Sequence, residues 1–374
     1  MTASAARGLV DQDSFFTKQV AAKDTSSYYI AKPGQLVYNK STSKDAPFGA
    51  VVQHPGGPDG VVTPLYIVFE ADGSRTSNDF LKEACNSPQF FDSLRDSLRE
   101  GARTHGLLNV RLNDFFAARV PMPPRRDQER IVDLLRAADA VVSASRFELD
   151  VAASSLREMR DRMFEDLWTT APLHAFSSIA HEVKRPVSVE ASAVYDQIGV
   201  RSHGRGVFRK EAVSGLDLGS KKVFWVEPGD LVINIVFAWE GAVALVPDDV
   251  TGHCASHRFP AYRRQDSGPI DYLRHLLLSA RGMEAMQLAS PGGAGRNRTL
   301  NRRLLGNFEV PVPAPDLQYQ VARTLGAMES LKESLDRALA SSRLVRSSLH
   351  ASLMSGSIEI PESYDDLIDV ADLS

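Results

Sequence analysis

Cysteine is scarce in this chain of 374 residues, where only Cys85 and Cys254 are present. Two cysteines cannot build the disulfide framework of a small secreted domain, and free thiols are usual in a reducing compartment. The sequence also lacks a run of the roughly 18 apolar residues that crosses a bilayer, and its first residues lack the apolar core of a signal peptide. These absences predict a cytoplasmic protein with no membrane partner.

Motifs for catalysis are missing as well. No Gly-x-Gly-x-x-Gly follows a strand-like run, and no phosphate-binding Walker sequence occurs. Pro58-Asp59 and Pro247-Asp248-Asp249 would suit the start of a nuclease motif, but no Glu-x-Lys follows either one. His253, Cys254 and His257 lie close together, yet neighbouring strand residues point to opposite faces, which favours a structural role over a metal site. The residues thus give little sign of catalysis, and a structural role is favoured over a metal site at His253 and Cys254.

What the sequence has instead is a long internal repeat. Val120-Pro121-Met122-Pro123-Pro124 returns about 190 residues later as Val310-Pro311-Val312-Pro313-Ala314, and in each copy a glutamine and a long helical pattern follow. Lys32-Pro33-Gly34-Gln35-Leu36-Val37-Tyr38-Asn39 returns as Glu227-Pro228-Gly229-Asp230-Leu231-Val232-Ile233-Asn234. Because solenoid repeats are only about 20–50 residues long, the pattern indicates a duplicated domain, each copy followed by a helix.

Both helical patterns carry apolar residues at alternating steps of four and three, which is typical of a coiled coil. About 40 helical residues rise roughly 60 Å, too far to be buried in one small domain, so each helix needs the other as its partner. Chain order favours an antiparallel pair with one domain at each end and a pseudo-twofold axis. The expected seam residues are Ile131, Leu135, Ala138, Val142, Leu149, Leu156, Met159, Val321, Leu325, Met328, Leu335, Leu339 and Leu349. Lys332, Ser342 and Arg346 interrupt the second seam, and either fix its register or mark a poorer one.

The predicted fold class is therefore α/β, with two similar mixed α/β domains joined by a long antiparallel two-helix coiled coil. The predicted parts are a first globular domain at 1–118, a Pro-rich lead-in with the first helix at 119–168, a second domain at 169–307, a second lead-in and helix at 308–356, and an acidic flexible tail at 357–374.

The first domain is shorter than the second at its beginning. Arg7-Gly8-Leu9-Val10 aligns with Arg205-Gly206-Val207-Phe208, and about 30 residues separate Phe176 from that point, whereas only six precede Arg7. Either residues upstream of Met1 belong to this domain, or this copy is cut down.

Basic residues concentrate in the second domain. Residues 169–307 carry 17 basic and 13 acidic side chains, a net charge of +4, whereas residues 308–374 carry 5 and 11, a net charge of −6.

Local basic surface drives nucleic-acid binding, glycine lets the backbone approach a phosphate, and arginine can bind guanine with two hydrogen bonds. Arginine clusters in polar, Gly-containing loops therefore favour DNA contact over an ordinary solvated surface. The candidate DNA-binding residues are Arg201, Arg205, Arg209, Lys210, Arg296, Arg298, Arg302 and Arg303, with Lys40, Lys44, Arg103 and Arg111 as weaker counterparts in the first domain. Trp239, in a nearby loop, is expected to be scaffold rather than a base-stacking residue.

The ordered repetition of these motifs resembles the specificity subunit of type I restriction–modification systems. The shared features are a Pro-Gly-x-Leu-Val-x-Asn strand, a proline-rich lead-in and a glutamine before each long helix, and they cover nearly the whole chain. Gln128-Glu129-Arg130-Ile131 is similar to that family's Glu-Gln-x-x-Ile helix start, with Asp127 in place of the glutamate. The second copy departs further, because Leu317 replaces the acidic residue.

The resemblance implies a non-catalytic subunit whose two domains each read one half of a bipartite site on double-stranded DNA. It also implies that the paired helices set the spacing and dock two methyltransferase subunits, with restriction and translocation subunits outside them. S-adenosylmethionine, ATP and Mg²⁺ are then expected on those partners. The alternatives are a scaffold that binds only proteins, which the acidic C-terminal segment favours, and a degenerate or truncated specificity subunit.

Overall fold

The computed structural model describes residues 1–4, 8–11, 26–42, 46–95, 99–100, 108–292 and 298–365. The chain divides into two compact units, Met1–Arg146 with Ala338–Ser374, and Phe147–Arg337. Each unit contains one globular domain together with part of both long helices. Within the described ranges, no helix is both long and apolar enough to span a membrane.

The first domain is built around a three-stranded antiparallel sheet, with further strands in separate pairs. The strands of the domain are β1 (Thr2–Ser4), β2 (Gly8–Val10), β3 (Tyr29–Ala31), β4 (Leu36–Asn39), β5 (Ala50–Gln53), β6 (Gly60–Val62), β7 (Ile67–Phe69), β8 (Arg99–Glu100) and β9 (Leu108–Asn109). Its helices are α1 (Asn78–Ala84), α2 (Pro88–Leu94) and α3 (Leu112–Ala117). Strand β4 lies between β5 and β7, and its residues Leu36, Val37 and Tyr38 are fully buried. This strand forms the centre of the domain because both of its faces are apolar.

The first long helix, α4, runs from Arg125 to Thr170, and the second domain follows it. The strands of that domain are β10 (Leu173–Ala175), β11 (Ala180–Val183), β12 (Val194–Tyr195), β13 (Ile198–Val200), β14 (Val207–Arg209), β15 (Val213–Ser214), β16 (Val223–Trp225), β17 (Leu231–Ile233), β18 (Val243–Leu245), β19 (Cys254–Ser256), β20 (Ala261–Arg264) and β21 (Glu309–Pro311), and its helices are α5 (Phe176–Ile179), α6 (Gly215–Leu218), α7 (Ile270–Leu278), α8 (Ala280–Leu288) and α9 (Arg302–Asn307). The second long helix, α10, runs from Pro315 to Ser355.

The two domains repeat one another in topology as well as in sequence. The order β5-β4-β7 in the first domain matches β18-β17-β20 in the second, and the second domain adds β11 beside β20. Gly34 and Gly229, which precede the central strands, have φ angles of 81° and 80°. Each donates its backbone N–H to the neighbouring strand end, at 3.1 Å to His54 O and 2.9 Å to Val246 O. The repeated Pro-Gly motif is therefore a left-handed turn that suits glycine, and the predicted mixed α/β class is confirmed.

Both long helices begin with the same contact. The side-chain Nε2 of Gln128 donates to the carbonyl of Pro123 at 2.9 Å, and that of Gln318 donates to the carbonyl of Pro313 at 2.7 Å. Both glutamines are only 2% exposed. The conserved spacing of proline and glutamine within the repeat thus fixes the angle at which the chain enters each helix.

In each unit, α4 and α10 pack against each other over the stretch that they share. In the first unit, Ile131 and Leu135 share a buried cluster with Leu353, and Ser145 Oγ lies 3.4 Å from Ser342 Oγ. Residue numbers rise along one helix as they fall along the other, so the helices are antiparallel there, as expected.

In the second unit, Leu156 shares a larger buried cluster with Val321 and Leu325. Among the other expected seam residues, Leu339 is buried and Ala138, Val142, Leu149, Met328, Leu335 and Leu349 are half-buried. Met159 is instead 40% exposed, and the half-buried Arg160 beside it has a buried Nε without a hydrogen-bond partner among the described residues.

The segment 357–365, which the sequence predicts to be part of a flexible tail, packs onto the first unit. Ile360 contacts the cluster that contains Ile131. Asp365 forms a two-point ion pair with Arg130, at 2.6 Å from Nε and 2.7 Å from Nη2. The acidic composition of this segment therefore serves at least in part to bind a basic side chain of α4. The rest of the predicted tail, 366–374, lies outside the described residues.

Candidate nucleic-acid interface

The hairpin between β13 and β14 carries the first predicted cationic cluster. Its tip turns through left-handed conformations at His203, Gly204 and Gly206, with φ angles of 62°, 64° and 78°. The N–H groups of His203 and Gly204 donate to the carbonyls of Glu240 and Gly241, at 2.8 and 2.9 Å. The tip is therefore held in place before any ligand binds.

Two of the hairpin arginines are exposed and have no carboxylate partner among the described residues. The guanidinium of Arg201 lies 4.8 Å from the centre of the Phe208 ring and donates to Val207 O at 3.3 Å. Arg205 donates through Nε to Ser202 O at 3.1 Å. These contacts orient both side chains but leave their charge uncompensated.

Two other candidate arginines are already paired. Arg209 donates to the Asp249 carboxylate at 3.0 Å, and Arg302 donates to both Glu182 carboxylate oxygens at 2.8 and 3.0 Å. Exposed ion pairs of this kind exchange partners at little cost in free energy. Their net charge is nevertheless neutral, so they would attract a phosphate less strongly than Arg201 or Arg205.

A pocket of about 710 Å³ opens beside the hairpin. Three of the predicted residues line it, namely Arg201, Arg205 and Lys210. The ammonium of Lys210 lies 4.8 Å from the centre of the Phe259 ring. Burial, followed by repulsion from Arg258, lowers the pKa of Lys210. The structure thus gathers cations that the sequence places up to 57 residues apart, Arg201 and Arg258, into one concave surface.

The second predicted cluster follows α8. Arg298 lies 5.2 Å from the centre of the Trp239 ring, whose indole N–H donates to Val236 O at 3.1 Å. Trp239 is half-buried, consistent with the expected scaffold role. Arg303 is exposed at the start of α9, which Asn301 caps by accepting from the Arg303 and Leu304 N–H groups. Arg296 lies outside the described residues.

The first domain offers fewer described cations. Lys40 is half-buried, and burial lowers its pKa. Arg111 is exposed at the residue that precedes α3. Lys44 and Arg103 lie outside the described residues, so the structure assembles no counterpart of the second-domain cluster from the part of the first domain that it describes.

The His-Cys segment has the character of a strand. Cys254 is fully buried in β19, where burial raises the pKa of its thiol. Over the described ranges, no three His, Cys, Asp or Glu side chains come together in a way that would hold a metal ion.

Sequence reasoning missed part of the pocket wall. Phe208, Phe237, Phe259 and Asn234 line it together with the exposed Arg258. Of these, Asn234 ends the repeated Leu-Val-x-Asn motif and Phe208 lies within the predicted cationic cluster at 201–210, so both carried a sequence signal. The phenylalanines come from three separate segments, and no local pattern links them.

Comparison with solved structures places this fold. A chain from a structure described as the basis of complex assembly and conformational transition of the type I R-M system aligns with a TM-score of 0.52 and 15% identity, over 90% of this chain and 85% of that chain. The HsdS subunit from Thermoanaerobacter tengcongensis aligns with a TM-score of 0.41 and 16% identity, over 88% and 82%. The type I restriction-modification S subunit from M. genitalium gives 0.42 and 13%, over 88% and 84%.

No protein-family model matches the sequence, and comparison with curated proteins gives no match. The structural alignment with the TM-score of 0.52 nevertheless shows that the chain has the fold of a type I restriction–modification component. The resemblance that the repeated motifs indicate is confirmed at the level of the fold.

Proposed function

We propose that this chain is the DNA-specificity subunit of a type I restriction–modification complex. In this proposal each globular domain reads one half of a bipartite site on double-stranded DNA, and the chain itself catalyses no reaction. The long paired helices dock two methyltransferase subunits, and restriction and translocation subunits join that assembly. S-adenosylmethionine, ATP and Mg²⁺ belong to those partners, and the complex acts in the cytoplasm.

One observation carries the DNA-binding part of this proposal. Arg201 and Arg205 lie on a hairpin whose tip is held by backbone hydrogen bonds. Both side chains are exposed, and neither forms an ion pair with a carboxylate among the described residues. A held loop that presents uncompensated arginines is suited to phosphates and guanine edges, because little side-chain or backbone order is lost on binding. The fold supports the rest of the proposal, since it matches that of a type I system component.

The experiment that tests the proposal is methylome sequencing of a heterologous host that carries this gene together with the methyltransferase gene of a type I system from the same genome. We expect a bipartite, asymmetric methylated motif, because the two domains share a topology but differ in their loop residues. Removing the first domain's half-site from a test plasmid should abolish methylation, and so should removing the second. A single continuous motif that needs only one domain would contradict the proposal, and the absence of any new methylation would favour the scaffold alternative.

A further inference from the structure

The strand-end asparagines of the two domains have different surroundings. The side-chain oxygen of Asn39 accepts from Ser41 N at 2.9 Å, and that of Asn234 accepts from Val236 N at 3.1 Å, so both form the same local turn. The Nδ2 of Asn39 donates to Ala3 O of β1 at 2.7 Å. Among the described residues, nothing accepts a hydrogen bond from the Nδ2 of Asn234, although this residue is only 7% exposed and lines the pocket.

The Nδ2 of Asn234 retains some solvent exposure, so water or a ligand can accept its hydrogen bond. In the first domain the neighbouring strand supplies that acceptor. In the second domain Asn234 lines a cavity of about 710 Å³, a size typical of ligand pockets. The comparison between the copies therefore identifies Asn234 as a donor kept free for a ligand.

The β13–β14 hairpin, which forms part of the pocket wall, also differs from the β1–β2 hairpin of the first domain in its facing residues. Gly199 faces Phe208 across β13 and β14, and a Cβ atom on Gly199 would lie 2.4 Å from Phe208 Cζ and 2.9 Å from Lys210 Cε. The ring and the lysine stem thus lie directly on the glycine backbone. In the first domain the corresponding facing pair is Thr2 and Val10, which has neither a glycine nor an aromatic ring.

The chemistry of the pocket narrows its ligand. Phe208, Phe237 and Phe259 offer aromatic faces, Asn234 offers a donor, and cations stand at the rim, including Arg258. A phosphate alone would not need aromatic walls, and an apolar ligand would not need cations. A nucleotide has a flat base for the rings, acceptors on the base edge for the amide, and a phosphate for the cations.

We infer that this pocket of the second domain receives a single nucleotide that has swung out of the DNA duplex. The inference rests on the proposed function, because it takes the nucleotide from bound DNA. Taking a base out of the stack is costly, and the cost is lower when the base is unpaired beforehand. A duplex with one unpaired nucleotide should therefore bind more tightly than the same duplex fully paired.

The test uses the full chain and two fluorescent probes. One is a duplex with a single unpaired 2-aminopurine nucleotide, and the other is the same duplex without the extra nucleotide. By anisotropy at one salt concentration, the wild type should bind the bulged duplex about tenfold more tightly, since unstacking has been done in advance. The 2-aminopurine emission should also change on binding, as its base moves against the aromatic rings.

Gly199→Ala displaces the Phe208 ring without altering charge, and Phe208→Leu removes the ring while keeping an apolar side chain. Both should bring the ratio of the two dissociation constants to about one, and Val10→Ala in the first-domain hairpin is the matched control. Thermal unfolding of each variant is the check that it remains folded. Equal affinity of the wild type for both probes, or a preference unchanged in Phe208→Leu, overturns this inference and leaves the proposed function standing. No binding to either duplex at low salt overturns the proposed function, and this inference with it.

Discussion

Arg274 of helix α7 holds Glu329 of helix α10 through a two-point ion pair, with Nη1 3.0 Å from Oε1 and Nη2 2.5 Å from Oε2. The Nε of Arg274 also donates to Asp271 at 2.5 Å. The side chains of Arg274 and Glu329 are only 11% and 23% exposed. This cluster joins the second domain to its own stretch of the long helices.

In the first unit an ion pair likewise connects a domain helix to α10, but the positive and negative residues are exchanged. There the arginine, Arg346, comes from α10 and reaches Glu83 of the domain helix α1 at 2.9 Å. Arg346 also pairs with Asp139 of α4 at 2.9 Å. In the second unit the domain contributes the arginine, and in the first unit the long helix does. If either domain packed on the segment of α10 that belongs to the other, Arg274 would face Arg346 or Glu83 would face Glu329.

Glu329→Met should destabilise the second unit strongly. It leaves Arg274 with Asp271 as its one carboxylate partner, so the cost should be below the about 3–5 kcal/mol of a fully buried pair that loses its only partner. The double variant Arg274→Met/Glu329→Met should be less destabilised than the sum of the two single variants, because neither side chain is then buried without the other. Denaturant unfolding of all three variants measures this coupling.

The exposed i,i+4 pair Arg125–Glu129 provides the control, since its side chains are 48% and 63% exposed. Replacing either residue with methionine should change the unfolding free energy by less than about 0.5 kcal/mol. Strict additivity at Arg274 and Glu329 would show that the two side chains do not stabilise one another.

Gln128 and Gln318 make the same helix-start contact but differ in what else they bind. The Oε1 of Gln128 accepts from Thr76 Oγ1 at 2.8 Å, whereas the Oε1 of Gln318 has no hydrogen-bond partner among the described residues. Gln128→Leu would therefore leave the Thr76 hydroxyl with only a long 3.5 Å contact to Ser77 O, and it should cost about 1 kcal/mol more than Gln318→Leu.

Chemical denaturation of both leucine variants gives this comparison. Thr76→Val in the Gln128→Leu background should recover part of the loss, because it removes a hydroxyl that has lost its better hydrogen-bond acceptor. Equal losses in the two single variants would mean that the Thr76 hydrogen bond contributes nothing to stability.

The predictable parts of this fold are those with a local signal. The central strands at Leu36 and Leu231 follow from apolar runs after Pro-Gly, and the repeat shows that one domain occurs twice. The seam is harder to predict, because Met159 and Arg160 are neighbours and only the packing of α7 and α10 decides which side chain turns inward. Apolar periodicity therefore predicts the helix pair but not every contact along it.

The candidate site divides in the same way. The hairpin cations Arg201 and Arg205 stand out in the sequence because glycines surround them. Which arginines are neutralised depends on residues far along the chain, as with Arg302 and Glu182, which lie 120 residues apart. The pocket formed by three separated phenylalanines depends on tertiary packing alone.

The carboxyl of Asp271 should make the second unit sensitive to acid. Burial favours its neutral form, but the hydrogen bond from His275 and the charge of Arg274 outweigh burial and lower its pKa to about 2, from 3.8. Since the folded state holds the proton less tightly than the unfolded state, the stabilisation from Asp271 is complete above pH 3.8 and is lost as the pH falls towards 2.

Comparison with Asp271→Asn isolates this effect from other carboxylates. The wild type should be more stable than the variant at neutral pH, and the difference should shrink as the pH falls through that window. Unfolding curves at a series of pH values measure the difference, with the exposed Asp248→Asn as a control that leaves the α7 cluster intact. A difference that stays constant across the window would contradict this account of Asp271.

The contrast between free and paired arginines gives a prediction for DNA affinity. Arg201 and Arg205 have no described carboxylate partner, whereas Arg209 is paired with Asp249. Each phosphate contact that is lost lowers the slope of log affinity against log salt by about one. Arg201→Gln with Arg205→Gln should therefore lower the slope by about two, and affinity should fall most at low salt.

The matched control is the neutral exchange Arg209→Gln with Asp249→Asn, which removes one cation and one anion from the same face. Because the pair contributes no net charge, the slope of this variant should stay within about half a unit of the wild type. The measurement is a gel-shift salt series with one duplex for all three proteins. Equal slopes for the wild type and the Arg201/Arg205 variant would mean that these side chains do not contact phosphates. A loss as large in the neutral exchange would mean that the pair opens on binding, so that Arg209 contacts DNA after all.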